Sequence, residues 1–587
     1  MTNPKRTGPD ILLPIQSLTE PRPVVTGLAD GRFLVAWTAN ASPNPMLPNT
    51  DVRAQVFDAA GKPWGAMIEV NAVTAMNQGG PAVAGLADGR FAVVWRDDSQ
   101  QGADTSSGGI RLQIYGADGA RIGAQAYVNT STLYTQHGAD ITALSDGRFV
   151  VAWSDYSGAS GDGSAGDVRA QVFNADGTRS GGELLINTSI EGGQQDVNIA
   201  ALKGGGFVAT WVDNTPSAGD PSDTAVRAQV FGANGARVGN EFLVNTTTAS
   251  FQSEPDITAL AGGGFVITWM DGSRSGEPGM YNDIRAQVYA ADGTRAGAEI
   301  VVNTTTADEQ QLASITALSD GRFVVTWTDY DTIDVSAVIA TIRAQVFDAE
   351  GNPAGTEFAL SAPGGFNAYS TITELADGRL AVFWTEMTGR DSVPLVDLRG
   401  QILDPRLDAV SLSGSAAADR YIGTGFGDRM AGARGDDWLE GRSGDDRLGG
   451  GDGRDRLDGG AGGDRLWGEG GRDSLSGGSG DDRLAGGAGA DTLTGGAGRD
   501  RFVFDSAAGA RGDVITDFRP GVDVIDLRGF MRGGDFIGAA RFTGEADQVR
   551  YDRDEGILRG DVNGDGRADW TIRIANEARL TDDDFLF

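Results

Sequence analysis

The sequence predicts an all-β chain in which a seven-bladed β-propeller precedes a coil of short strands. One observation is a unit of 58 residues that recurs seven times before residue 410. The second is a nine-residue unit that recurs nine times after residue 420. The third is glycine, present at 89 of 587 positions, because this excess indicates many tight turns. A chain of this length is too long to fold around a single hydrophobic core, so we expect several domains.

Each long repeat contains four short runs that are rich in valine, isoleucine and aromatic residues. One run recurs at a spacing of 58 residues five times and then 57. Its last residues are Trp37, Trp95, Trp153, Trp211, Trp269, Trp327 and Trp384. Asp-Gly, Gly-Gly and Asn-Gly pairs separate the runs, as in antiparallel hairpins. Both faces of the run at 322–327 are largely apolar, which is typical of a blade covered on both sides.

The last long repeat lacks a clear fourth strand after residues 397–403. Residues 11–15 precede the first repeat as the fourth strands precede the others. We therefore expect the N-terminal strand to complete the last blade, since an open ring would leave a sheet edge unpaired. An ordinary leading strand is the alternative.

The nine-residue repeat follows the pattern Gly-Gly-x-Gly-x-Asp-x-U-x, where U is apolar. Its sixth positions are Asp428, Asp437, Asp446, Asp455, Asp464, Asp473, Asp482, Asp491 and Asp500. Its eighth positions are Met430, Leu439, Leu448, Leu457, Leu466, Leu475, Leu484, Leu493 and Phe502. A disordered Gly/Asp linker is the alternative, but a linker has no reason to keep an apolar residue at every ninth position.

These residue types suit calcium. Glycines allow positive φ angles and so let a turn aim its carbonyl oxygens inward. Calcium takes six to eight oxygen ligands from carboxylates and carbonyls. We therefore predict several Ca2+ ions, held by the nine aspartates. The candidate glycine ligands are Gly432, Gly441, Gly450, Gly459, Gly477, Gly486 and Gly495. Two repeats are expected to form one coil turn, which stacks repeat n on repeat n+2 and places ions between turns.

Residues 423–587 resemble the C-terminal part of RTX proteins. The array is similar to the RTX β-roll, and the runs at 502–505, 513–518 and 523–527 resemble the C-terminal module of serralysin-type secreted proteins. The resemblance implies a parallel β-roll, calcium-induced folding and type I secretion through an uncleaved C-terminal signal. The full prediction is an all-β fold: a seven-bladed β-propeller at 1–410, an RTX nonapeptide β-roll at 415–503 and a small C-terminal β cap with the secretion signal at 504–587.

Some copies of the nonapeptide depart from the pattern. Position two holds Thr424, Ala433, Arg442 and Glu469 in the first, second, third and sixth copies. Position four of the first copy holds Phe426. The calcium assignment has less support at these turns, and least at the first.

Residues 582–587, Asp-Asp-Asp-Phe-Leu-Phe, resemble the terminal motif of type I substrates. A final strand with a polar lead-in is the alternative, and both can hold. No apolar run follows the basic start, so a Sec-type signal is not expected. No stretch approaches the roughly 20 apolar residues that span a bilayer. We expect an extracellular bacterial protein, secreted or on the cell surface, with calcium and the type I secretion apparatus as partners.

A second calcium loop is predicted near the C-terminus. Asp561, Asn563, Asp565 and Asp569 place oxygen ligands at positions one, three, five and nine of a loop with glycine at six. Position twelve, where an EF-hand has glutamate, is Ile572. A shorter calcium loop and an Asp-Gly hairpin turn with solvated carboxylates both fit the pattern.

An acid follows the tryptophan by two positions in six of the seven long repeats. These acids are Asp97, Asp155, Asp213, Asp271, Asp329 and Glu386. A ring of acids could bind a cation, a basic ligand or a sugar. Cross-strand ion pairs with the recurrent arginines, such as Asp155 with Arg169, are the interpretation that we favour, because a residue present in nearly every blade usually serves the blade.

Composition excludes several classes of function. The net charge of −34 disfavours nucleic acid as a partner, which would require a basic surface. No cysteine is present, which excludes disulfides and thiolate metal sites. His137 is the only histidine, so a zinc-protease motif with two histidines is impossible. We expect His137 in a solvent-facing loop.

Two functions from different classes stay open. The first is a non-enzymatic secreted calcium-binding protein whose propeller binds a glycan or protein ligand. The second is a secreted hydrolase or lyase with its active site on the propeller face. The near identity of the repeats favours the first, and we assign no catalytic residue; fold alone cannot decide. The variable loops at 39–50 and 154–166 are the expected binding surface.

Overall fold

A computed structural model describes residues 4–17, 21–41, 49–101, 108–158, 166–189, 192–215, 224–273, 281–305, 309–334, 337–387 and 396–587. Contacts divide the chain into two compact units, Met1–Pro405 and Arg406–Phe587. The described residues form strands and loops, with one 3-10 turn at Asp582–Asp584. None of the described helices is long and apolar enough to span a membrane. The predicted all-β class is confirmed.

The first unit consists of seven antiparallel blades of four strands. The innermost strands are Val24–Gly27, Gln78–Gly85, Gln136–Ala143, Gln194–Ala201, Gln252–Ala259, Glu309–Ala317 and Phe366–Glu374. The second strands are Phe33–Asn40, Phe91–Asp97, Phe149–Asp155, Phe207–Asp213, Phe265–Asp271, Phe323–Asp334 and Leu380–Met387. The third strands are Thr50–Phe57, Gly109–Tyr115, Asp167–Phe173, Ala225–Phe231, Asp283–Tyr289, Ala337–Phe347 and Val396–Asp404. The outer strands are Pro63–Glu69, Arg121–Tyr127, Leu184–Leu185, Arg237–Leu243, Arg295–Val301, Phe358–Ala359 and Ile11–Ser17.

The N-terminal strand closes the ring, as predicted. Ile11–Ser17 pairs antiparallel with Val396–Asp404, and Lys5–Arg6 extends the same pairing. The buried side chain of Arg379, in the seventh blade, donates to the carbonyl oxygen of Ala59 in the first blade. The last blade therefore has four strands like the others, and the N-terminal strand covers the sheet edge that Val396–Asp404 would otherwise expose.

Neighbouring blades share their hydrophobic cores. Trp153 and Phe173 of the third blade lie in one cluster with Ile110 and Val128 of the second. Within the third blade, the rings of Phe149 and Phe173 stack with centroids 5.2 Å apart. Each blade is covered on both sides, which explains why its strands are apolar on both faces.

The acids that follow the tryptophans pair with arginines on the third strands, as we favoured. Asp155 Oδ2 lies 2.7 Å from Arg169 Nε, and the aspartate side chain is only 1% exposed. Each of the other five acids pairs in the same way, at Asp97, Asp213, Asp271, Asp329 and Glu386. These carboxylates hold adjacent strands together.

Two further carboxylates bridge the innermost strands of neighbouring blades. Asp140 Oδ2 accepts a hydrogen bond from the backbone N–H of Ile199 at 2.8 Å. Asp256 Oδ2 accepts one from the N–H of Ile315 at 3.0 Å. Burial raises the pKa of Asp140 to about 6 and that of Asp256 to about 7.

We expect the propeller to be more stable at pH 5 than at pH 8. Since both pKa values are raised above their unfolded value of about 4, the folded state binds more protons. The contribution of these groups is fully present below pH ~4 and is lost as pH rises through 6 to 7. Asp256→Asn should raise the thermal midpoint of the full chain at pH 8 by a few degrees and flatten its pH dependence, measured in saturating calcium. An unchanged dependence would contradict this assignment.

The second unit consists of two sheets whose strands alternate along the chain. The first sheet contains Ser411–Ser413, Arg429–Arg434, Arg447–Gly453, Arg465–Gly471, Arg483–Ala485, Ala488–Gly489, Arg501–Val503, Val524–Asp526 and Phe585–Leu586. The second contains Arg420–Ile422, Trp438–Glu440, Arg456–Ala461, Ser474–Ser479, Thr492–Ala497, Asp513–Ile515, Trp570–Ile574, Ile557–Asp561, Gln548–Asp552 and Asp535–Phe536. Repeat strands pair in parallel with the repeat two copies on, as between Leu448 and Leu466. The predicted parallel β-roll is confirmed.

The roll and the C-terminal cap share one hydrophobic core. The eighth-position side chains are at most 2% exposed and form a single cluster with Ile525, Ile572 and Phe585 of the cap. Both sheets continue into the cap. The predicted boundary between residues 503 and 504 stays a prediction, and it crosses a continuous core.

Candidate calcium-binding site

The sixth-position aspartates form two rows, one along each sheet. In each row, Oδ1 accepts a hydrogen bond from the backbone N–H eighteen residues earlier. Asp473 Oδ1 accepts from the N–H of Asp455 at 2.9 Å, and Asp482 Oδ1 accepts from that of Asp464 at 2.8 Å. One oxygen of each carboxylate is therefore used to join successive coil turns.

The second carboxylate oxygen is the informative one. Oδ2 is buried and has no hydrogen-bond partner among the described residues at Asp437, Asp446, Asp455, Asp464, Asp473, Asp482, Asp491 and Asp513. These residues are at most 3% exposed. A buried carboxylate oxygen without a partner is costly. Oxygen atoms of this kind are the ligands that calcium prefers, so the residues of the array fit a cation.

The electrostatics of the rows support the same requirement. Burial raises the pKa to about 7 at Asp437, Asp446, Asp473, Asp482 and Asp513, and to about 6 at Asp464. It raises the pKa of Asp455, Asp491 and Asp500 as well. Neighbouring carboxylates add to the shift at most of these positions. The charged form of the array is unfavourable until positive charge lies nearby.

Glycine is required at position one because a side chain there would have no room, and not because the backbone adopts a positive φ. A Cβ atom at Gly450 would lie 2.3 Å from Asp455 Oδ2, and one at Gly477 would lie 2.4 Å from Asp482 Oδ2. The candidates Gly432, Gly441, Gly459, Gly486 and Gly495 meet the aspartate of their own copy in the same way. Positive φ is found instead at positions two and four, as at Gly451 and Gly453. The positive φ expected of the turn glycines is therefore present, at positions two and four.

The departures from the pattern have different consequences. Ala433, Arg442 and Glu469 adopt φ angles of 78°, 78° and 71°, so their turns keep the glycine conformation despite the side chain. In the first copy, Thr424 Oγ1 donates to Asp428 Oδ2 at 3.1 Å. The carboxylate of Asp428 thus has a partner from its own turn, which separates it from the later copies.

Sequence reasoning missed three members of the rows. Asp419 N–H donates to Asp437 Oδ1, and Asp513 and Asp523 accept from Asp491 and Asp500. The signal for Asp419 is a degenerate copy at 414–422, with glycine at position one and Tyr421 at position eight. Asp513 and Asp523 escape the nine-residue spacing because loops are inserted before them.

The predicted loop at 561–569 is a hydrogen-bonded hairpin turn. Asp561 is fully buried, and its Oδ2 accepts from the N–H of Gly566 at 2.7 Å. Asn563 Nδ2 donates to Asp569 Oδ1 at 3.1 Å, and Asp565 Oδ1 accepts from the N–H of Arg567. The backbone satisfies these carboxylates, so the hairpin interpretation accounts for the geometry and a calcium ion here stays a prediction.

Within the described ranges, no group of three or more His, Asp or Glu side chains gathers as a metal site. The roll differs from such a site because each turn offers one free carboxylate oxygen beside main-chain carbonyls. Any calcium in the array would depend on the backbone of the glycine turns as much as on the aspartates.

The expected loop position of His137 is wrong. His137 lies in the innermost strand Gln136–Ala143 and is half-buried, with its ring stacked on Tyr156 at 5.1 Å. Burial lowers its pKa, Arg96 lowers it further and Asp196 opposes the shift. Parts of the expected binding loops, at 42–48 and 159–165, lie outside the described residues.

Two family models match the second unit. The RTX calcium-binding nonapeptide repeat matches 422–457 and 449–484, and the peptidase M10 serralysin C-terminal family matches 471–587. The chain carries RTX calcium-binding repeats and a serralysin-type C-terminal region.

No curated protein matches the sequence. Among solved structures, polysaccharide lyase Uly1 is 10% identical over 68% of this chain and 100% of that chain, with a TM-score of 0.45. The α-L-arabinanase of Penicillium chrysogenum is 15% identical over 68% and 98%, with a TM-score of 0.38. A protein of unknown function from Dyadobacter fermentans is 14% identical over 56% and 94%, with a TM-score of 0.38.

Proposed function

We propose that this chain is a secreted calcium-binding protein whose β-roll folds on calcium after type I export and whose propeller binds a saccharide. The buried Oδ2 atoms of the aspartate rows carry the first part. They require cations in a place where the fold brings glycine carbonyls and carboxylates together. Free calcium is scarce inside cells and plentiful outside, so such an array would stay open until export is complete.

The residues of the array have separate roles in this proposal. Oδ1 of each aspartate ties two coil turns together, and Oδ2 faces the turn as a ligand. Position-one glycines keep the space around Oδ2 clear, and the leucines at position eight form the core. Calcium supplies the positive charge that offsets the carboxylates, so its binding free energy becomes folding free energy.

The saccharide site is proposed at the axis of the propeller, where one position of the innermost strand differs from blade to blade. Each innermost strand that follows the first has a bulge with one residue at positive φ, as at Gly80, Gly138, Asp196, Glu254, Leu312 and Tyr369. Glycine takes this conformation without strain, whereas other residues are strained by about 1 kcal/mol or more. Side chains kept at strained positions point to a function.

The side chains at the axis interact with one another. The Arg22 guanidinium lies over the ring of Tyr369 at 4.6 Å. Burial raises the pKa of Asp196 and Glu254, and Arg22 lowers both. His137 contributes to the field at Asp196. The axis therefore combines an arginine, two acids, an imidazole and an aromatic ring.

A cavity of about 410 Å³ borders this cluster at His137. Gly80 and Gly138 line it, because these two blades lack the side chain that the others place there. Thr38, Asn77 and His137 add donors and acceptors to its wall. A mixed set of donors and acceptors suits the hydroxyl groups of a sugar.

Asp196→Gly should weaken saccharide binding without destabilising the propeller. Glycine relieves the positive φ, which should offset the greater freedom of the unfolded chain to within about 1 kcal/mol. Leu312→Gly is the matched control, because it makes the same backbone change at a bulge position that holds no acid. A glycan array and thermal unfolding of the three proteins test this. Equal loss of binding in both variants, or none in either, would contradict the proposed site.

The hydrolase alternative has no assembled nucleophile around the histidine. Ser154 lies opposite His137 on the adjacent strand, but its Oγ is buried without a partner among the described residues. A serine nucleophile has to reach both its base and the substrate. Binding is therefore the function that this geometry supports better.

A further inference from the structure

Asp500 differs from the seven preceding aspartates of the array. From Asp437 to Asp491, Oδ2 has no hydrogen-bond partner in the part of the chain that the structure describes. At Asp500 the chain supplies a cation of its own. Arg519 Nη2 lies 3.0 Å from Asp500 Oδ2, and Asp500 itself is 1% exposed.

Arg519 also contacts the next turn of the coil. Its Nη2 lies 2.9 Å from Asp523 Oδ1, and it donates to the carbonyl oxygen of Gly498. Asp523 is the next member of the row, because its Oδ1 accepts the N–H of Asp500 at 3.1 Å. The guanidinium therefore contacts two successive carboxylates and one turn carbonyl, the same kinds of oxygen that would hold an ion elsewhere in the array.

We propose that the guanidinium of Arg519 takes the place of a calcium ion between the turns of Asp500 and Asp523. This inference rests on the proposed function, since it assigns one member of the same series of ion positions. An arginine is charged at every physiological pH and is delivered by the chain itself, so this turn is compensated without calcium. The C-terminal end of the roll would then be formed before the calcium-dependent turns, and could serve as the edge on which they stack.

Arg442 provides a matched control. It stands at position two of the third copy, and its Nε lies 3.9 Å from Glu440 Oε1. Asp446, the aspartate of that copy, keeps an Oδ2 without a partner. Removal of Arg442 therefore changes the charge of the array by the same amount as removal of Arg519, without removing a hydrogen-bond partner of Asp446 Oδ2.

The test uses the full chain as wild type, Arg519→Ala, Arg519→Lys and Arg442→Ala. Hydrogen exchange of the strands Arg501–Val503 and Val524–Asp526 is measured in chelator and in saturating calcium, with calcium stoichiometry from equilibrium dialysis. In chelator, Arg519→Ala should exchange these amides about tenfold faster than wild type. In calcium it should recover protection and bind one more ion than wild type. Arg519→Lys should keep part of the protection, and Arg442→Ala should match wild type.

Two results would overturn the inference. One is wild-type protection of Arg519→Ala in chelator, which would show that the guanidinium does not compensate the turn. The other is an unchanged calcium stoichiometry with protection that calcium does not restore, which would make Arg519 a structural residue only. If the wild-type array itself showed no response to calcium, the proposed function would fail, and that outcome is visible before any variant is compared.

Discussion

In calcium-free buffer, the amides of residues 423–491 should exchange at close to unfolded rates, whereas the propeller strands keep their protection. The buried Oδ2 atoms and the mutual repulsion of the carboxylates oppose the closed roll until cations bind. Circular dichroism of the full chain should gain β-structure on titration with calcium. A fragment covering 415–587 should show the same transition more clearly. A spectrum that calcium leaves unchanged would refute calcium-dependent folding.

Single aspartates should then separate the ligand row from the other acids. Asp455→Ala removes an internal Oδ2 and the acceptor of the Asp437 N–H, so the calcium midpoint should rise about tenfold. Asp452→Ala is the matched control in the same copy, since its side chain is 81% exposed. Asp213→Ala should destabilise the propeller, where Arg227 would lose one of its two acidic partners, and leave the calcium midpoint unchanged. If the calcium midpoint shifted in Asp213→Ala and not in Asp455→Ala, the assignment of the calcium sites to the second unit would be wrong.

Deletion of residues 582–587 should lower export through a type I system at least about tenfold. The resemblance of this end to type I signals motivates the prediction. The structure adds a complication, because Phe585–Leu586 pairs with Val524–Asp526 and Asp584 accepts from the N–H of Gly521. The deletion therefore also removes the last strand of the first sheet.

Point variants separate the role of residues 582–587 as an export signal from their role as the last strand of the first sheet. Asp582 and Asp583 are exposed, whereas Asp584 and Phe585 are buried. Alanine at both exposed positions should reduce export and leave calcium-dependent folding intact. Deletion of residues 1–9 should leave export unchanged, although it removes the pairing of Lys5–Arg6. Export that survives removal of 505–587 would contradict a C-terminal signal.

The sequence by itself determined the two architectures and the positions of the aspartate rows. A spacing of 58 residues reports one blade, and a spacing of nine reports half a coil turn, because each structural unit there is built from consecutive residues. The same local regularity predicted the pairing of repeat n with repeat n+2 and the closure of the ring by the N-terminal strand. It also predicted the ion pairs between the acids that follow the tryptophans and the arginines of the third strands.

Only the tertiary structure decided which groups meet across the chain. Arg519 reaches Asp500 over an inserted loop, and Asp523 joins the row outside the nine-residue period. The need for glycine at position one comes from the nearby aspartate oxygen rather than from φ. His137 proved to be part of an innermost strand of the propeller, where Asp196 and Arg96 from two other blades shift its pKa. Such contacts depend on distances between residues far apart in sequence, which periodicity and composition do not encode.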